Sequence, residues 1–370
     1  SFIVDSLATE PVVWPDQTFV APDTEFEYTH VDIAGSILAV GTGTPSIQVF
    51  HLRDDGLWEL EETIELDDSD SIVDLSLATN RIAVAQQSSG VSVYRRNTSG
   101  SWVEENIDDL TSSNKTFLSV DNIALDTGDD LVVCINDDGT RGFQTLNYEY
   151  NGVVFHWELS DTLLLSSGST QNWGENVEMG PERIVVSAEG SDGLSMFDGS
   201  CFVYKEIIDG NWSYQATVTP PTGVTDSTFG RSIALDGDRI AVGAPGTNLG
   251  IVTDSTVTLF EPGQFGAWTV LDVVVGEHDG FGSSVELIGD SIVSGSPGLS
   301  LESGFIEIHQ YDDGEDVWSH VASLRMQSQG SEDGNLGVAV AVSGENIAVF
   351  DTGGIDLVLL GFRDGESPFV

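Results

Sequence analysis

The sequence predicts an all-β fold, a seven-bladed β-propeller of four-stranded antiparallel blades. Three observations predict it. One phrase recurs seven times, most legibly as Phe229-Gly-Arg-Ser-Ile-Ala-Leu-Asp-Gly-Asp-Arg-Ile-Ala-Val-Gly-Ala-Pro245. Its apolar core begins at Leu38, Ile82, Leu131, Ile184, Ile240, Ile292 and Ile347, a spacing of 44 to 56 residues that suits four short strands per unit. A tryptophan then leads a further run in six units, at Trp58, Trp102, Trp157, Trp212, Trp268 and Trp318.

Within a unit the strands follow from periodicity and turn chemistry. Phe-Gly-x-Ser-Ile-Ala-Leu alternates with period two and reads as strand one. Gly237-Asp238 and its counterparts tolerate positive φ, which a tight hairpin needs to match strand twist. Arg239-Ile-Ala-Val is strand two, Val257-Thr-Leu-Phe260 strand three, and Trp268-Thr-Val-Leu-Asp-Val-Val274 strand four. No stretch carries a long helical stripe.

The seventh tryptophan lies at the other end of the chain. Trp14-Pro-Asp-Gln-Thr-Phe-Val20-Ala-Pro22 matches Trp212-Ser-Tyr-Gln-Ala-Thr-Val218-Thr-Pro220, and the last unit has no Trp of its own. The N-terminal strand is therefore expected to complete the last blade and close the ring, which removes the exposed edges of an open array. The expected blades are 26–66, 72–110, 117–165, 173–219, 229–275, 281–326, and 336–370 plus 12–22, in one domain spanning 1–370.

The Phe-Gly opening and Gly-Ala-Pro ending at 229–245 are echoed by Phe281-Gly282 with Gly295-Ser-Pro297, by Trp173-Gly174 and by Leu336-Gly337. These motifs resemble FG-GAP repeats, the blades of integrin α-subunit propellers. The resemblance implies a propeller, and a loop face that meets protein ligands. It does not carry over the integrin calcium sites, which need a long Asp-rich loop between strands one and two. Here that connection is only Asp236-Gly-Asp238, Gly289-Asp290 or Gly344-Glu345, too short to place six or seven oxygens around one ion.

Charge narrows the function classes. Sixty-one acidic against 12 basic residues give −49. Nucleic acid, whose phosphates need a basic footprint, is excluded as a partner, and an anionic membrane surface repels the chain. Such acidity suits a salty, halophilic or marine medium without implying a bound ion. No cofactor is expected. If calcium binds, the acidic tips are the places: Asp67, Asp68 and Asp70; Asp126 to Asp130; Asp312, Asp313 and Asp316.

No catalytic constellation is legible, and the protein is expected not to be an enzyme. The six histidines, His30, His51, His156, His278, His309 and His320, fall in different units without metal-ligand spacing. Gly-x-Ser-x-Gly is absent, and the recurring strand-one serines are explained by packing. Carboxylates are too numerous for any pair to single out hydrolysis. Cys134 and Cys201, in neighbouring units, either pair or stand as small buried residues.

A binding face follows from propeller geometry. Loops joining strands two to three and four to one share one end of the blades, and the two–three loops are long at Glu189–Gly199, Pro245–Ser255 and Pro297–Ser303. The polar residues Asp192, Asp198, Asn248, Asp254, Asp279 and Glu302 mark that face. Trp173 stands where Phe229 and Phe281 stand, which makes it core and not a sugar platform. Sequons at Asn97, Asn114 and Asn211 allow glycosylation, two of them in the three–four turn. No apolar run is long enough to span a bilayer. The chain thus reads as a processed secreted protein or an ectodomain piece, located outside the cell or on its surface. Two functions remain open: a structural or adhesive glycoprotein that assembles with proteins, including copies of itself, and a module that binds a glycan, a protein or divalent cations.

Overall fold

A computed structural model describes residues 2–5, 16–20, 28–43, 45–66, 70–86, 89–105, 107, 115–125, 128–137, 140–150, 155–164, 173–189, 199–208, 211–221, 228–246, 255–297, 304–312, 317–326, 337–344, 346–350 and 356–361. They form two compact bodies, 29–188 with 202–216, and 1–28 with 189–201 and 217–370.

In the first body, unit one runs Tyr28–Ala34, Ile37–Thr42, Ser46–Leu52 and Trp58–Glu65. Units two, three and four begin at Ile72–Ala78, Lys115–Leu125 and Trp173–Gly180 and end at Trp102–Glu105, Phe155–Leu164 and Asn211–Val218. In each sheet, hydrogen-bonded neighbours are consecutive in sequence. Strand two is fully buried, as at Leu38-Ala-Val40 and Ile82-Ala-Val84. A strand covered on both faces has no polar side to show, which is why this one reads as an unbroken apolar run.

The second body holds units five to seven. Unit five is Ser232–Asp236, Arg239–Ala244, Thr256–Pro262 and Trp268–Val275. Unit seven is Val340–Ser343, Asn346–Phe350 and Asp356–Gly361, completed by Asp16–Val20, which pairs antiparallel with its last strand, Asp16 opposite Leu360.

Unit six departs from the expectation of four-stranded blades throughout. Beyond Ser284–Ile288, Ser291–Ser296, Phe305–Asp312 and Val317–Met326, a fifth strand, Phe2–Asp5, pairs antiparallel with the outer one from Phe2 opposite Met326 to Asp5 opposite Ser323. Among the described residues the expected four-stranded blade occurs six times, not seven, and this sheet has five strands. The chain ahead of the completing strand carries Phe-Ile-Val-Asp, three apolar residues and an acid, whose backbone groups find partners on the outer strand of unit six.

The recurrent glycines join neighbouring units. A Cβ on Gly243 would lie 2.1 Å from the carbonyl oxygen of Gly282, and one on Gly295 would lie 1.9 Å from that of Gly337. Gly282 and Gly337 themselves have φ of +88° and +101°, a region that side chains avoid. The Gly-x-Pro glycine of one unit thus lies backbone to backbone on the Phe-Gly glycine of the next. The strand-one serine closes the contact: Ser232 Oγ donates to Gly282 O at 2.9 Å, Ser284 Oγ to Gly337 O at 3.1 Å, and Ser119 Oγ to Gly174 O at 2.9 Å.

Trp58, Trp102, Trp157, Trp212 and Trp318 are buried on their outer strands, and Trp173 is fully buried in the core, as its match to Phe229 implies. In the first body Arg81 and Glu105, both nearly inaccessible, pair at 2.8 Å. Trp157 Nε1 donates to the same carboxylate at 3.0 Å, and the guanidinium lies 4.1 Å from the Tyr148 ring centroid. The second donor, the ring face and the bidentate contact offset the cost of burying the charges.

Candidate functional site

The clearest concentration of polar chemistry in the second body lies where unit five hands over to unit six. It starts from one residue. The third strand of unit six reads Phe305-Ile-Glu-Ile-His309, and alternation sends Ile306 and Ile308 into an apolar cluster with Val293, Leu324, Val340 and Val342. Glu307 and His309 face the other way, where His309 meets the Phe281 ring at 5.0 Å. The corresponding residues of other units are uncharged: Gln48, Ser92, Gln144 and Thr258.

Glu307 has no accessible side-chain surface, so its carboxylate survives only through what is donated to it. Oε1 accepts from the His278 backbone N–H at 3.1 Å and from Ser296 Oγ at 2.8 Å, and lies 3.2 Å from His278 Nδ1. Oε2 accepts from the Glu277 N–H at 2.8 Å and lies 3.4 Å from His309 Nε2. Burial alone would raise the pKa. The hydrogen bonds from His278, His309, the Glu277 N–H and Ser296 outweigh it and hold the group well below the ordinary carboxylate range. With both oxygens saturated, Glu307 is a fixed anion and has no lone pair free to act as a base.

Three histidines gather here, against the expectation that the six are scattered. His278 is stacked on Phe305 with centroids 3.5 Å apart, and His309 meets His320 edge to face at 5.3 Å. His320 is within 2.8 Å of Ser323 Oγ, and burial first, then His309, lowers its pKa. Sequence spacing hides the cluster because its members come from two strands of one sheet and the connection before it. The usable signal was an acid at a third-strand position that the units compared above fill with uncharged residues.

A second anchor sits beside the first. Ser255 Oγ, buried, donates to Pro245 O at 2.8 Å and accepts from the Gly280 N–H at 3.1 Å, while Ser255 O accepts from Gly276 N at 3.0 Å. The long two–three loop of unit five is thereby clamped at its base to the Gly276–Gly280 connection that Glu307 holds from the other side. Asp279, exposed on that connection, is the one expected face residue the structure describes. Asp192, Asp198, Asn248, Asp254 and Glu302 lie outside the described residues, as do Asn114, Asp67, Asp68, Asp126, Asp313 and Asp316.

Of the candidate cation ligands that are described, Asp70 has a structural task. Its Oδ2 accepts from Ser89 N at 3.0 Å and Oγ at 3.3 Å, and its carbonyl accepts from Gln86 Nε2 at 2.8 Å. Asp312 is exposed. Asp130 has its pKa raised to about 6, first by burial and then by Glu206. Among the described residues no group of three or more His, Cys, Asp or Glu side chains is arranged to hold a metal ion. Cys134 and Cys201 are both free and buried, and burial pushes the Cys134 thiol up to about 12 and raises that of Cys201. Such thiols are unreactive at neutral pH.

The sequon asparagines differ in setting. Asn97 Oδ1 accepts from Ser99 N at 2.9 Å, Ser99 Oγ at 2.6 Å and Ser101 N at 3.1 Å, so the side chain organises the three–four turn of unit two. Asn211 is exposed at the start of the outer strand of unit four. No helix among the described residues is long and apolar enough to cross a membrane.

Comparison with known proteins agrees with the repeat architecture. The family model described as FG-GAP repeat matches residues 212–255, from the outer strand of unit four to the start of strand three in unit five. No curated protein matches the chain. Among solved structures, the computationally designed Ika8 protein is similar with a TM-score of 0.54 at 12% identity, over 93% of this chain and 98% of that one, a likeness of fold alone. Over residues 212–255 the chain is thus similar to the FG-GAP repeat, and its four-stranded antiparallel sheets suit a β-propeller built from such repeats.

Proposed function

We propose that the protein is a non-enzymatic, extracellular structural or adhesive glycoprotein domain that assembles with proteins, copies of itself included, through the loops at the two–three and four–one end of its blades. FG-GAP propellers generally mediate protein interactions, and their repeats are typically extracellular. One observation supports this reading on this chain: Glu307 and Ser255 fix the bases of the loop-bearing connections with buried hydrogen bonds. A loop whose base is fixed loses less entropy on binding, and a rigid scaffold is where recognition loops are commonly set. A fully saturated carboxylate also supports a role in holding and not in proton transfer.

A second reading, a module binding a glycan or a protein ligand, is favoured by the half-buried His278–Phe305 stack beside exposed Asp279. An aromatic face next to an acid is a surface on which sugar rings pack and hydroxyls donate.

The test is the particle size of the purified native protein in seawater-like salt, with millimolar calcium and then with chelator. Filaments, sheets or discrete oligomers support the assembly reading. A monomer of unchanged size in both conditions refutes it and directs glycan and protein screens to the Asp279 connection, with His278→Ala as the control variant.

A further inference from the structure

Among the described residues, the outer strand of unit five is an apolar sheet edge with no strand paired to it. Trp268–Val275 reads Trp-Thr-Val-Leu-Asp-Val-Val-Val, and Val270, Leu271 and Val275 are each more than a third exposed. Its counterparts are guarded. The outer strand of unit one carries Glu59, Glu61, Glu62 and Glu65, that of unit two Glu104 and Glu105, and that of unit three Glu158 and Asp161. Unit four is polar there, with Ser213, Tyr214 and Gln215. Charge on an edge keeps stray strands off it, and unit five has only Asp272.

The homologous edge of unit six is occupied. Superposing Trp268 on Trp318 places Val273 and Val275 on Ser323 and Arg325, the residues that Asp5 and Ile3 pair with. Both outer strands also carry the same irregularity, one extra residue opposite Leu259–Phe260 in unit five and opposite Ile308–His309 in unit six. The backbone groups of unit five point the same way. Gly276 N donates inward to Ser255 O, so antiparallel alternation turns the Val275 and Val273 groups outward. Asp272 Oδ1 accepts from the outward Val273 N–H at 2.7 Å, and among the described residues no strand pairs with this edge.

We propose that Asp272–Val275 is a docking edge for an extended segment of a different protein, apolar at its centre and basic at both flanks, which adds antiparallel to unit five as Phe2–Asp5 adds to unit six. Main-chain bonds to the Val275 N–H and to the Val273 and Val275 carbonyls supply affinity, and the apolar side chains cover exposed Val270 and Val275. The basic flanks follow from charge: a chain of −49 draws a cationic segment to Asp272 and Glu277, at opposite ends of this edge, whereas a second copy approaches only where salt screens the repulsion. This goes beyond the loop-face reading and stands if that reading fails, because it uses the strand edge and not the loops.

The probe is a fluorescein-labelled peptide of sequence Lys-Thr-Phe-Ile-Val-Lys, titrated with the full chain by fluorescence polarisation. Val275→Pro removes the outward N–H without touching the inner ladder, since that N–H faces away from strand three. The expected result is saturable binding that weakens about tenfold in Val275→Pro, with the unfolding midpoint unchanged. On the unaltered protein, N-methylating the peptide amide that faces Val275 abolishes binding, and methylating its neighbour does not. No binding at millimolar peptide, or equal loss from both methylated peptides, overturns the proposal. So does salt-dependent dimerisation abolished by Val275→Pro, which would make a second copy the occupant.

Discussion

Replacing Gly295 by alanine tests the contact between units most directly. The added methyl would lie 1.9 Å from Gly337 O, 2.5 Å from Ser284 Oγ and 2.6 Å from Gly337 C. These atoms are roughly 1.5 Å too close for van der Waals contact. Two are backbone and cannot rotate away, so the strand-one entry of unit seven must retreat. Retreat stretches the Ser284 Oγ to Gly337 O bond of 3.1 Å and the Gly337 N to Phe350 O bond of 2.9 Å. Overpacking costs about 1–3 kcal/mol, and two weakened hydrogen bonds add about 1 kcal/mol each. The stiffer unfolded chain returns less than about 1 kcal/mol, leaving a loss of roughly 2–4 kcal/mol. The control is Gly289→Ala, at φ of +54° with nothing within 4 Å of the added atom, where only the left-handed conformation costs, about 1 kcal/mol. Equilibrium unfolding in guanidinium, followed by tryptophan fluorescence, measures both. If Gly295→Ala unfolds at the same denaturant concentration as Gly289→Ala, the glycines are not held by backbone crowding and the account of the motif is wrong.

Glu307→Gln keeps the shape but turns an amide NH2 toward backbone N–H donors, and should destabilise by about 3 kcal/mol; a midpoint within 1 kcal/mol of the parent, on the same scale, would show the carboxylate is not the anchor. Because the folded pKa of Glu307 is depressed, its contribution is present above the ordinary carboxylate range and fades only as pH falls toward its lower folded value. Asp130 has the opposite sign. Its folded pKa is raised to about 6, so the ionised form costs stability at pH 7 and the cost fades as pH drops from about 6 toward the ordinary value. Asp130→Asn should therefore raise the unfolding midpoint at pH 7.5 and leave it nearly unchanged at pH 4; equal shifts at both pH values would refute the assignment. With a net charge of −49, the melting temperature should rise as sodium chloride is taken from about 0.05 to 1 M, where the screening length falls to about 3 Å. A flat or falling scan would contradict self-repulsion.

Much of the fold is written locally. The Ile-Ala-Val runs, the Gly237-Asp238 turn and the tryptophan leads each mark a strand or hairpin within about ten residues, and the match of Trp14–Pro22 to Trp212–Pro220 foretold the pairing of Asp16–Val20 with the last sheet. The site was less legible. His278, His309 and His320 carry no local spacing, and only strand pairing brings His309 opposite His320 and places the Glu277–His278 backbone on Glu307.

The sequence by itself determined the repeat, the strand order and the charge, because a strand's period and a turn's dihedral preferences are properties of neighbouring residues. Only the tertiary structure decided that Gly295 lies on Gly337, that Glu307 is a buried anion fed by five donors, and that Phe2–Asp5 covers one outer edge while no described strand pairs with that of unit five. Those outcomes depend on groups tens to hundreds of residues apart in the chain, and burial, crowding and hydrogen-bond satisfaction exist only once packing has brought them together.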